Sequence, residues 1–331
     1  MIYVYNNVDL FFIMMVGLSG SGKTTRAKML AKEYNAEVFS SDDIREELFK
    51  DCKDENIYDH AHHKKVFTEL HNRVIHSLRN KKNVIYDATN LSSKQRVEFL
   101  LELAKQGISC HKIAFLMDEN FLDCQIKNFA RKEVVPQNVL DRQYLKFEIP
   151  STFEGFDCVM LNSIYSTFGH VDYDKFIIKF DKSKFKILKK EMKKFNQQSV
   201  HHRFSLYKHS KLMAKYCNKK IKYKNIKQIM FLHDIGKLFT KQYDKKNKTT
   251  HYYNHENVGA YCLLLNMDLF KNMSVKEIIN GIYLINHHML YFVFQNQNIK
   301  KETVKNYKYK WFFGAYNLLK DINECDILAS Q

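Results

Sequence analysis

The sequence contains little of what several classes of protein require. Its 331 residues include only 2 Pro and 10 Gly, which excludes collagen-like, proline-rich and glycine-linker architectures. None of its 7 Cys belongs to a C-x-x-C pair, so we expect reduced thiols in a cytoplasmic protein. The apolar run at 8–16 contains Asp9 and is too short to span a bilayer. We therefore expect no membrane partner and no secretory leader.

What is abundant is positive charge, and it is unevenly placed. The net charge is +17; residues 1–160 carry 22 Lys and Arg against 23 Asp and Glu, whereas residues 161–331 carry 31 against 13. This asymmetry favours two domains, one of which meets a polyanion. Lysine outnumbers arginine by 45 to 8, so an AT-rich genome is an alternative origin of the charge. If the charge is functional, the lysines at 219–224 or 182–194 are the candidate contact surface.

Hydrophobic periodicity divides the chain in the same way. Short apolar strands at 10–16, 37–39, 83–86 and 113–116 alternate with helical patterns, which predicts an α/β domain with a parallel sheet and helices on both faces. Later apolar positions fall three and four apart, which predicts helices at 182–197, 206–218, 224–235, 256–266, 274–288 and 303–329. We therefore predict an α/β domain at 1–162 and an all-α, helical domain at 163–331. The polar tract 241–250 is expected to be an exposed loop.

A phosphate-binding loop follows the first strand. Gly17, Gly22, Lys23 and Thr24 have the spacing G-x-x-x-x-G-K-[ST]. Backbone N–H groups of such a loop and the helix N-terminus bind the phosphates of ATP or another nucleoside triphosphate. Lys23 adds a positive charge and the Thr24 hydroxyl binds Mg²⁺. The predicted cofactor-binding residues are Gly17, Ser19, Gly20, Ser21, Gly22, Lys23, Thr24 and Thr25.

Polar side chains also follow the next two strands. Asp42 and Arg45 come after the strand at 37–39, and Asp87 and Asn90 after that at 83–86. Strand ends line the ligand crevice of parallel sheets. There a carboxylate can accept the proton of an attacking hydroxyl, and an arginine can hold a phosphate. The sequence thus predicts an acceptor site; for Asp87 alone, a capping role is the alternative.

These segments resemble the kinase module of polynucleotide 5′-kinases. The resemblance covers residues 10–160 and includes Asn128–Arg131, Val135-Pro136 and Glu154–Asp157, which are similar to that family's lid and closing segment. It implies transfer of the γ-phosphoryl group of ATP to a 5′-hydroxyl. It further implies that Asp42 is the general base, that Lys23 and Arg131 act on the donor phosphates, and that the substrate-binding residues are Arg45, Asp87, Asn90 and Arg96. Lys127 stands where some members carry a second lid arginine.

In the second half, His and Asp residues recur on the apolar faces of the predicted helices. Burying so many polar groups is costly unless they are hydrogen-bonded or bind metal. Imidazole and carboxylate ligands suit Mn, Fe, Ni, Co or Zn. The predicted ligands are His209, His233, Asp234, His255, His288 and Asp326, with His287 as the alternative to His288. Coincident core histidines are the competing interpretation.

The order of these residues resembles the H…HD…D pattern of the HD phosphohydrolase superfamily over residues 195–331. The resemblance implies a helical domain that holds two divalent transition metals. Asp234 would bridge them, His209 and Asp326 would complete one site, and His255 and His288 the other. Lys237 would stabilise phosphate charge. His201 and His202 are expected to contact the same site.

Together these observations predict a nucleic-acid end-healing enzyme, with RNA favoured. Its partners would be RNA or DNA ends, with a ligase acting downstream. The first domain would make 5′-phosphates, and the second would remove 2′,3′-cyclic, 2′- or 3′-phosphates. Two alternatives remain at this stage. One is a small-metabolite kinase fused to a nucleotide phosphohydrolase, and the other is a regulatory protein whose HD domain is switched by nucleoside triphosphate.

Overall fold

The chain forms two compact units. The computed structural model describes residues 10–50, 60–131, 133–197, 204–296 and 299–331, so His201 and His202 lie outside the described residues. One unit comprises Met1–Leu140 and Gly155–Val171, and the other comprises Asp141–Glu154 and Asp172–Gln331. The predicted α/β fold followed by a helical region is confirmed.

The first unit is built on a parallel five-stranded sheet in the order β2–β3–β1–β4–β5. Its strands are β1 Phe11–Val16, β2 Ala36–Ser40, β3 Asn83–Asp87, β4 His111–Leu116 and β5 Cys158–Leu161. Its helices are α1 Lys23–Tyr34, α2 Ser41–Phe49, α3 His60–Arg79, α4 Ser93–Lys105, α5 Phe121–Phe129, the start of α6 Gln137–Leu145, and α7 Asn162–Phe168.

The central strand β1 is a continuous apolar run because it is buried on both faces. Phe12, Met15 and Val16 are fully buried, as expected for a parallel strand covered by helices. Ser40 of β2 is paired in register with Asp87 of β3, and β1 ends directly before Gly17. The carboxyl ends of three neighbouring strands therefore bring the predicted phosphate and acceptor residues to one edge of the sheet.

The second unit is mostly helical. Its helices are α8 Lys182–Lys194, α9 Leu206–Lys220, α10 Ile226–Phe231, α11 Lys237–Thr240, α12 His255–Leu264, α13 Val275–Asn286, α14 Leu290–Asn296, α15 Lys301–Asn306 and α16 Tyr316–Ser330. A two-stranded antiparallel hairpin consists of β6 Gln242–Asp244 and β7 Thr249–His251. No helix among the described residues is both long and apolar enough to cross a membrane.

The second unit also includes a segment that the sequence analysis placed in the first domain. This strap, Asp141–Glu154, is fixed by buried amides: the Ile149 N–H donates to Asn286 Oδ1 at 2.7 Å, and Ser151 Oγ donates to Asn280 Oδ1 at 2.7 Å. Phe147 and Ile149 are fully buried, and the Phe147 ring packs 5.4 Å from that of Tyr261. The strap thus completes the apolar faces of α12 and α13.

Three predicted elements differ in the structure. The helix expected at 303–329 is broken, because a π-helical turn at Tyr307–Trp311 is followed by a bend before α16 starts at Tyr316. A Cβ added to Gly314 would lie 3.0 Å from the Phe153 carbonyl oxygen, so the strap packs closely against this bend. The tract 241–250 forms the β6–β7 hairpin rather than a loop, and the helix expected at 224–235 covers only Ile226–Phe231.

The strap yields a first prediction. Phe147→Ala should destabilise the second unit by about 3–5 kcal/mol, because a fully buried ring leaves a cavity. Trp311, the single tryptophan, is buried in that unit, so its fluorescence reports urea unfolding there. The matched control is Phe168→Ala, whose ring is exposed in the first unit. Equal Trp311 midpoints for wild type and Phe147→Ala would show that the strap adds no stability to the second unit.

Candidate functional site

The glycine loop of the first unit has the shape needed to hold phosphates. Gly20 has φ +80°, and a Cβ there would lie 2.2 Å from the Cys124 carbonyl oxygen of α5. Gly22 also has a left-handed φ and precedes α1. The Gly17 N–H donates to the Thr89 carbonyl oxygen at 3.0 Å, which ties the loop to the chain that follows β3. Side chains at these glycines would fill the space of the loop or strain its backbone.

The Lys23 side chain lies inside this loop. Its Nζ donates to the Leu18 carbonyl oxygen at 2.7 Å. Burial lowers the pKa of Lys23 to about 8, against the opposing attraction of Asp87. A bound polyphosphate would restore the charged form, because a nearby negative charge favours an ammonium group.

Thr24 and Asp87 form the pair of oxygen ligands that a magnesium ion requires. Thr24 Oγ1 donates to Asp87 Oδ2 at 2.7 Å. Burial raises the pKa of Asp87, while the hydrogen bond from Thr24 opposes that shift. Mg²⁺ takes few protein oxygens besides nucleotide phosphates. The geometry thus places Asp87, predicted to bind substrate, in direct contact with Thr24, the residue predicted to bind Mg²⁺.

Asp42 stands at the start of α2, where Ser40 caps the helix. Ser40 Oγ accepts from the Asp42 N–H at 3.2 Å. The Asp42 carboxylate lies 3.1 Å from Arg45 NH1 and 3.5 Å from Arg131 NH2, and its side chain is 63% exposed. The structure therefore brings the predicted base, the predicted phosphate contact and the predicted lid arginine together.

A buried amide holds the loop that carries Arg131. Asn128 Nδ2 donates to the Val135 carbonyl oxygen at 2.8 Å, and the Val135 N–H donates to Asn128 Oδ1 at 3.1 Å. Asn128 is 1% exposed. The predicted lid loop thus has fixed ends on either side of its arginine.

Asn90 and Arg96 have a different position from the one predicted. Both are buried; Asn90 Nδ2 donates to the Met15 carbonyl oxygen at 2.7 Å, and Arg96 NH1 donates to the Asn90 carbonyl oxygen at 2.7 Å. Direct substrate binding by these two side chains is not supported, because their polar groups connect the loop after β3 to strand β1. They position the site from within the fold.

In the second unit, the six predicted metal ligands lie together. The four histidines among them surround the carboxylate of Asp234. The Asp234 oxygens lie 3.2 Å from His209 Nε2, 3.3 Å from His233 Nε2, 3.2 Å from His255 Nε2 and 3.7 Å from His288 Nε2. Asp326 Oδ1 lies 3.0 Å from His209 Nε2. All six residues are buried, although they come from five separate parts of the chain.

The same nitrogen of each histidine points to the centre. Nδ1 of His209, His233, His255 and His288 faces a backbone carbonyl oxygen, of Ala329, Met230, Tyr252 and Ile285 respectively, at 2.6–3.3 Å. A carbonyl only accepts, so Nδ1 carries the proton and Nε2 remains available. This arrangement of outer partners is typical of metal-binding histidines.

The two buried carboxylates require compensating positive charge. Burial alone would raise the pKa of Asp234, but His233 and Lys237 hold it well below its ordinary value. Burial would likewise raise the pKa of Asp326, but hydrogen bonds from His209 and His233 lower it. Conversely, burial would lower the pKa of His233, and Asp234 raises it to about 10. Either protons or metal cations must neutralise this cluster.

Several ligand atoms fit metal better than protons. His209 Nε2 and His233 Nε2 are only 3.2 Å apart, a distance at which two protonated nitrogens repel. Among the described residues, His255 Nε2 and His288 Nε2 are buried without a hydrogen-bond partner. Two groups can each enclose one ion: His209, His233 and Asp326, and His233, Asp234 and His288. The donor set of imidazoles and carboxylates therefore fits divalent transition metals.

The structure distinguishes His287 from His288. His288 Nε2 faces Asp234, whereas the His287 ring packs 4.4 Å from that of Tyr283 and 4.8 Å from that of Phe312. The helix α13 ends at Asn286. His288 therefore lies two residues beyond the helix whose register favoured it over His287.

Lys237 lies within the cluster, and sequence reasoning missed two of its neighbours. Lys237 Nζ is 2.6 Å from Asp234 Oδ2 and 3.4 Å from Gln197 Oε1. Tyr252 lies with its ring 5.7 Å from Lys237 Nζ, and its hydroxyl donates to the Gln197 carbonyl oxygen. Gln197 follows the end of α8, and no motif or apolar spacing distinguishes it in the sequence.

Comparisons with known proteins find similarity over part of the chain. A family model described as an AAA domain matches residues 12–150. No curated protein matches the chain. Among solved structures, a "putative kinase" from Chloroflexus aurantiacus J-10-fl is 16% identical, with a TM-score of 0.36, 47% of this chain covered and 86% of its own. A gluconokinase from Sinorhizobium meliloti 1021 is 14% identical, with a TM-score of 0.32 and coverage of 46% and 81%. Residues 12–150 are thus similar to that AAA-domain family.

The position of Lys23 predicts how nucleotide binding depends on pH. Below pH 8 the free lysine is already charged, so ATP affinity should be constant. Above pH 8 binding must take up a proton, so affinity should fall by up to about tenfold per pH unit. Titration calorimetry with Mg²⁺–ATP from pH 7 to 9 measures this, and Lys23→Arg should give a flat profile because arginine stays charged. A flat profile in the wild type would show that Lys23 is charged in the free site.

Proposed function

We propose that this chain is a bifunctional enzyme that repairs nucleic-acid ends. The first unit transfers the γ-phosphoryl group of ATP to a 5′-hydroxyl. The second unit hydrolyses a terminal 2′,3′-cyclic, 2′- or 3′-phosphate. The observation that carries the proposal is the presence, in one chain, of a P-loop beside an exposed Asp42–Arg131 pair and of a buried cluster of four histidines and two aspartates.

The kinase half of the proposal rests on the arrangement around Asp42. An acceptor hydroxyl must lose its proton to a base that is reachable from solvent. Asp42 is the exposed carboxylate between two arginines, so it can take this proton while Arg45 and Arg131 bind phosphates. ATP and Mg²⁺ would be held by the glycine loop, Lys23, Thr24 and Asp87, and the cation would neutralise charge on the transferred group.

The hydrolase half rests on the buried cluster. The six ligands would hold two divalent metals, with Asp234 between them. When bound, such ions lower the pKa of water towards neutrality and polarise phosphate oxygens. Lys237 lies against Asp234 at 2.6 Å, where its ammonium group can stabilise the additional negative charge of a phosphoester.

The kinase is tested with two neighbouring carboxylates. Asp42→Asn should lower 5′-phosphorylation by about 10²–10⁴-fold, the usual contribution of a positioned base, and should leave ATP affinity nearly unchanged. The matched control Asp43→Asn, on the same first turn of α2, should stay near wild-type activity. The assay follows transfer of labelled phosphate to a 5′-hydroxyl oligonucleotide, with gluconate and nucleosides as competing acceptors. Full activity of Asp42→Asn would remove this residue from the mechanism.

The hydrolase is tested with two aspartates of α16. Asp326→Asn keeps the side-chain shape but loses a buried charge, so bound metal and dephosphorylation should both fall at least tenfold, as they do when even outer partners of a ligand are lost (about 10–100-fold). Asp321→Asn is the control, because Asp321 is on the outer face of the helix, paired with Lys220 at 3.2 Å. Elemental analysis and release of phosphate from a 3′-phosphate RNA are the measurements. Unchanged metal and unchanged turnover would assign the cluster to core packing.

A further inference from the structure

Between the candidate ligands Asp234 and His255 the chain forms a segment of which the proposed chemistry uses only Lys237. This rim segment, residues 237–254, contains α11 and the β6–β7 hairpin. Both of its ends adjoin a ligand of the same cluster, so the ends of the segment lie beside that cluster. Phe239, Tyr243 and Tyr253 in it are each more than half exposed.

Two of the rings on the rim segment are already stacked. The His251 and Tyr253 rings lie 5.2 Å apart and only 10° from parallel. Thr249 Oγ1 lies 3.1 Å from His251 Nε2, which fixes the orientation of the imidazole from the start of β7. A flat, pre-ordered aromatic pair with an exposed member is suited to accept a further flat ring.

The rim segment is rich in positive charge. It contains Lys241, Lys245, Lys246 and Lys248 besides Lys237, and its single carboxylate, Asp244, accepts hydrogen bonds from the N–H groups of Lys246 and Asn247. Among the described residues, no carboxylate lies within ion-pair distance of Lys245, Lys246 or Lys248. These cations are therefore available to an external anion.

Three of the lysines that the sequence analysis favoured as a contact surface are paired with carboxylates. Lys220 is paired with Asp321 and Glu324, Lys224 with Glu277, and Lys184 with Asp268. The charge of these three lysines is balanced within the second unit. The rim segment, by contrast, combines exposed rings with lysines that no carboxylate of the described residues balances.

Tyr252 connects the rim segment to the ligand cluster. Its carbonyl oxygen accepts from His255 Nδ1 at 2.8 Å, and its neighbour Tyr253 carries the exposed ring. A base bound on Tyr253 would consequently sit one residue from a backbone group that orients a metal-binding histidine. At this separation, the base stacked on Tyr253 would belong to the nucleotide next to a terminal phosphate that the cluster holds.

We propose that the rim segment is the binding surface for a single-stranded nucleic acid, with a base stacked on Tyr253 and the adjacent phosphates bound by the hairpin lysines. The inference rests on the proposed hydrolase function and specifies its substrate as a strand rather than a mononucleotide. Stacking platforms flanked by basic residues bind single strands without reading their sequence. Sequence-independent binding is what an enzyme acting on many different ends requires.

The test compares Tyr253→Ala and Tyr253→Trp with the wild type. The probes are a fluorescent 8-mer RNA with a 3′-phosphate and the same strand with its last two bases removed. Tyr253→Ala should weaken binding of the intact RNA by about 5- to 150-fold, the range for losing one stacked base, whereas Tyr253→Trp should retain it. Neither variant should bind the base-free strand differently from the wild type. Phe313→Ala, which removes another exposed ring of the second unit, should bind as the wild type does.

A small chromogenic phosphodiester separates this inference from the proposed function. Its hydrolysis and the bound metal should be unchanged in Tyr253→Ala, because neither requires a base. Unchanged RNA binding by Tyr253→Ala, or equal losses on the intact and base-free strands, would overturn the stacking surface and leave the hydrolase proposal standing. A wild type that hydrolyses the diester but binds no RNA would overturn both the surface and the nucleic-acid substrate.

Discussion

The Asp234 carboxylate is the interaction on which the organisation of the second unit depends. It is fully buried, and four imidazoles and one ammonium group from α9, α12 and the ends of α10, α11 and α13 surround it. An isolated carboxylate in such a position would be strongly destabilising. The helices therefore have to pack with these polar side chains facing inward, while the surrounding apolar residues exclude water from the site. The arrangement of the cluster and the packing of the helices consequently depend on each other.

The first unit also carries opposite charges at a partly buried position, at the edge of its sheet. Asp87 is buried beside Thr24 and close to Lys23, whose pKa burial lowers to about 8. The two opposite charges partly compensate one another, because the negative charge of Asp87 raises the pKa of Lys23 against the effect of burial. A magnesium nucleotide would add a cation near Asp87 and phosphates near Lys23, so that each group would gain a partner of opposite charge.

The sequence predicted those parts of the molecule that depend on local pattern. The glycine loop, the strand ends and the register of His209, His288 and Asp326 each follow from residues within one or two helical turns, so the six residues that form the buried cluster could be named before the structure. Contacts between distant segments could not be predicted. The strap joins the second unit through Asn280 and Asn286, whose side chains carry no periodic pattern. The contact of Asp87 with Thr24 spans 63 positions and the burial of Arg96 depends on the loop after β3, so neither follows from a local pattern.

The basic composition of the second half shows why total charge is a poor guide to a binding surface. A lysine that is already paired with a carboxylate attracts a polyanion less strongly, because the two opposite charges largely cancel. Lys220 and Lys224 are paired in this way. The hairpin lysines, in contrast, lie on a turn whose single aspartate accepts hydrogen bonds from backbone N–H groups. Among the described residues, lysines without an ion pair also occur elsewhere in the second unit, for example on α8, so unpaired charge alone does not mark a binding surface. On the rim segment, such lysines occur together with the exposed rings of Tyr243 and Tyr253, between two candidate ligands. We propose that this combination, rather than the total charge, identifies the surface that binds a strand.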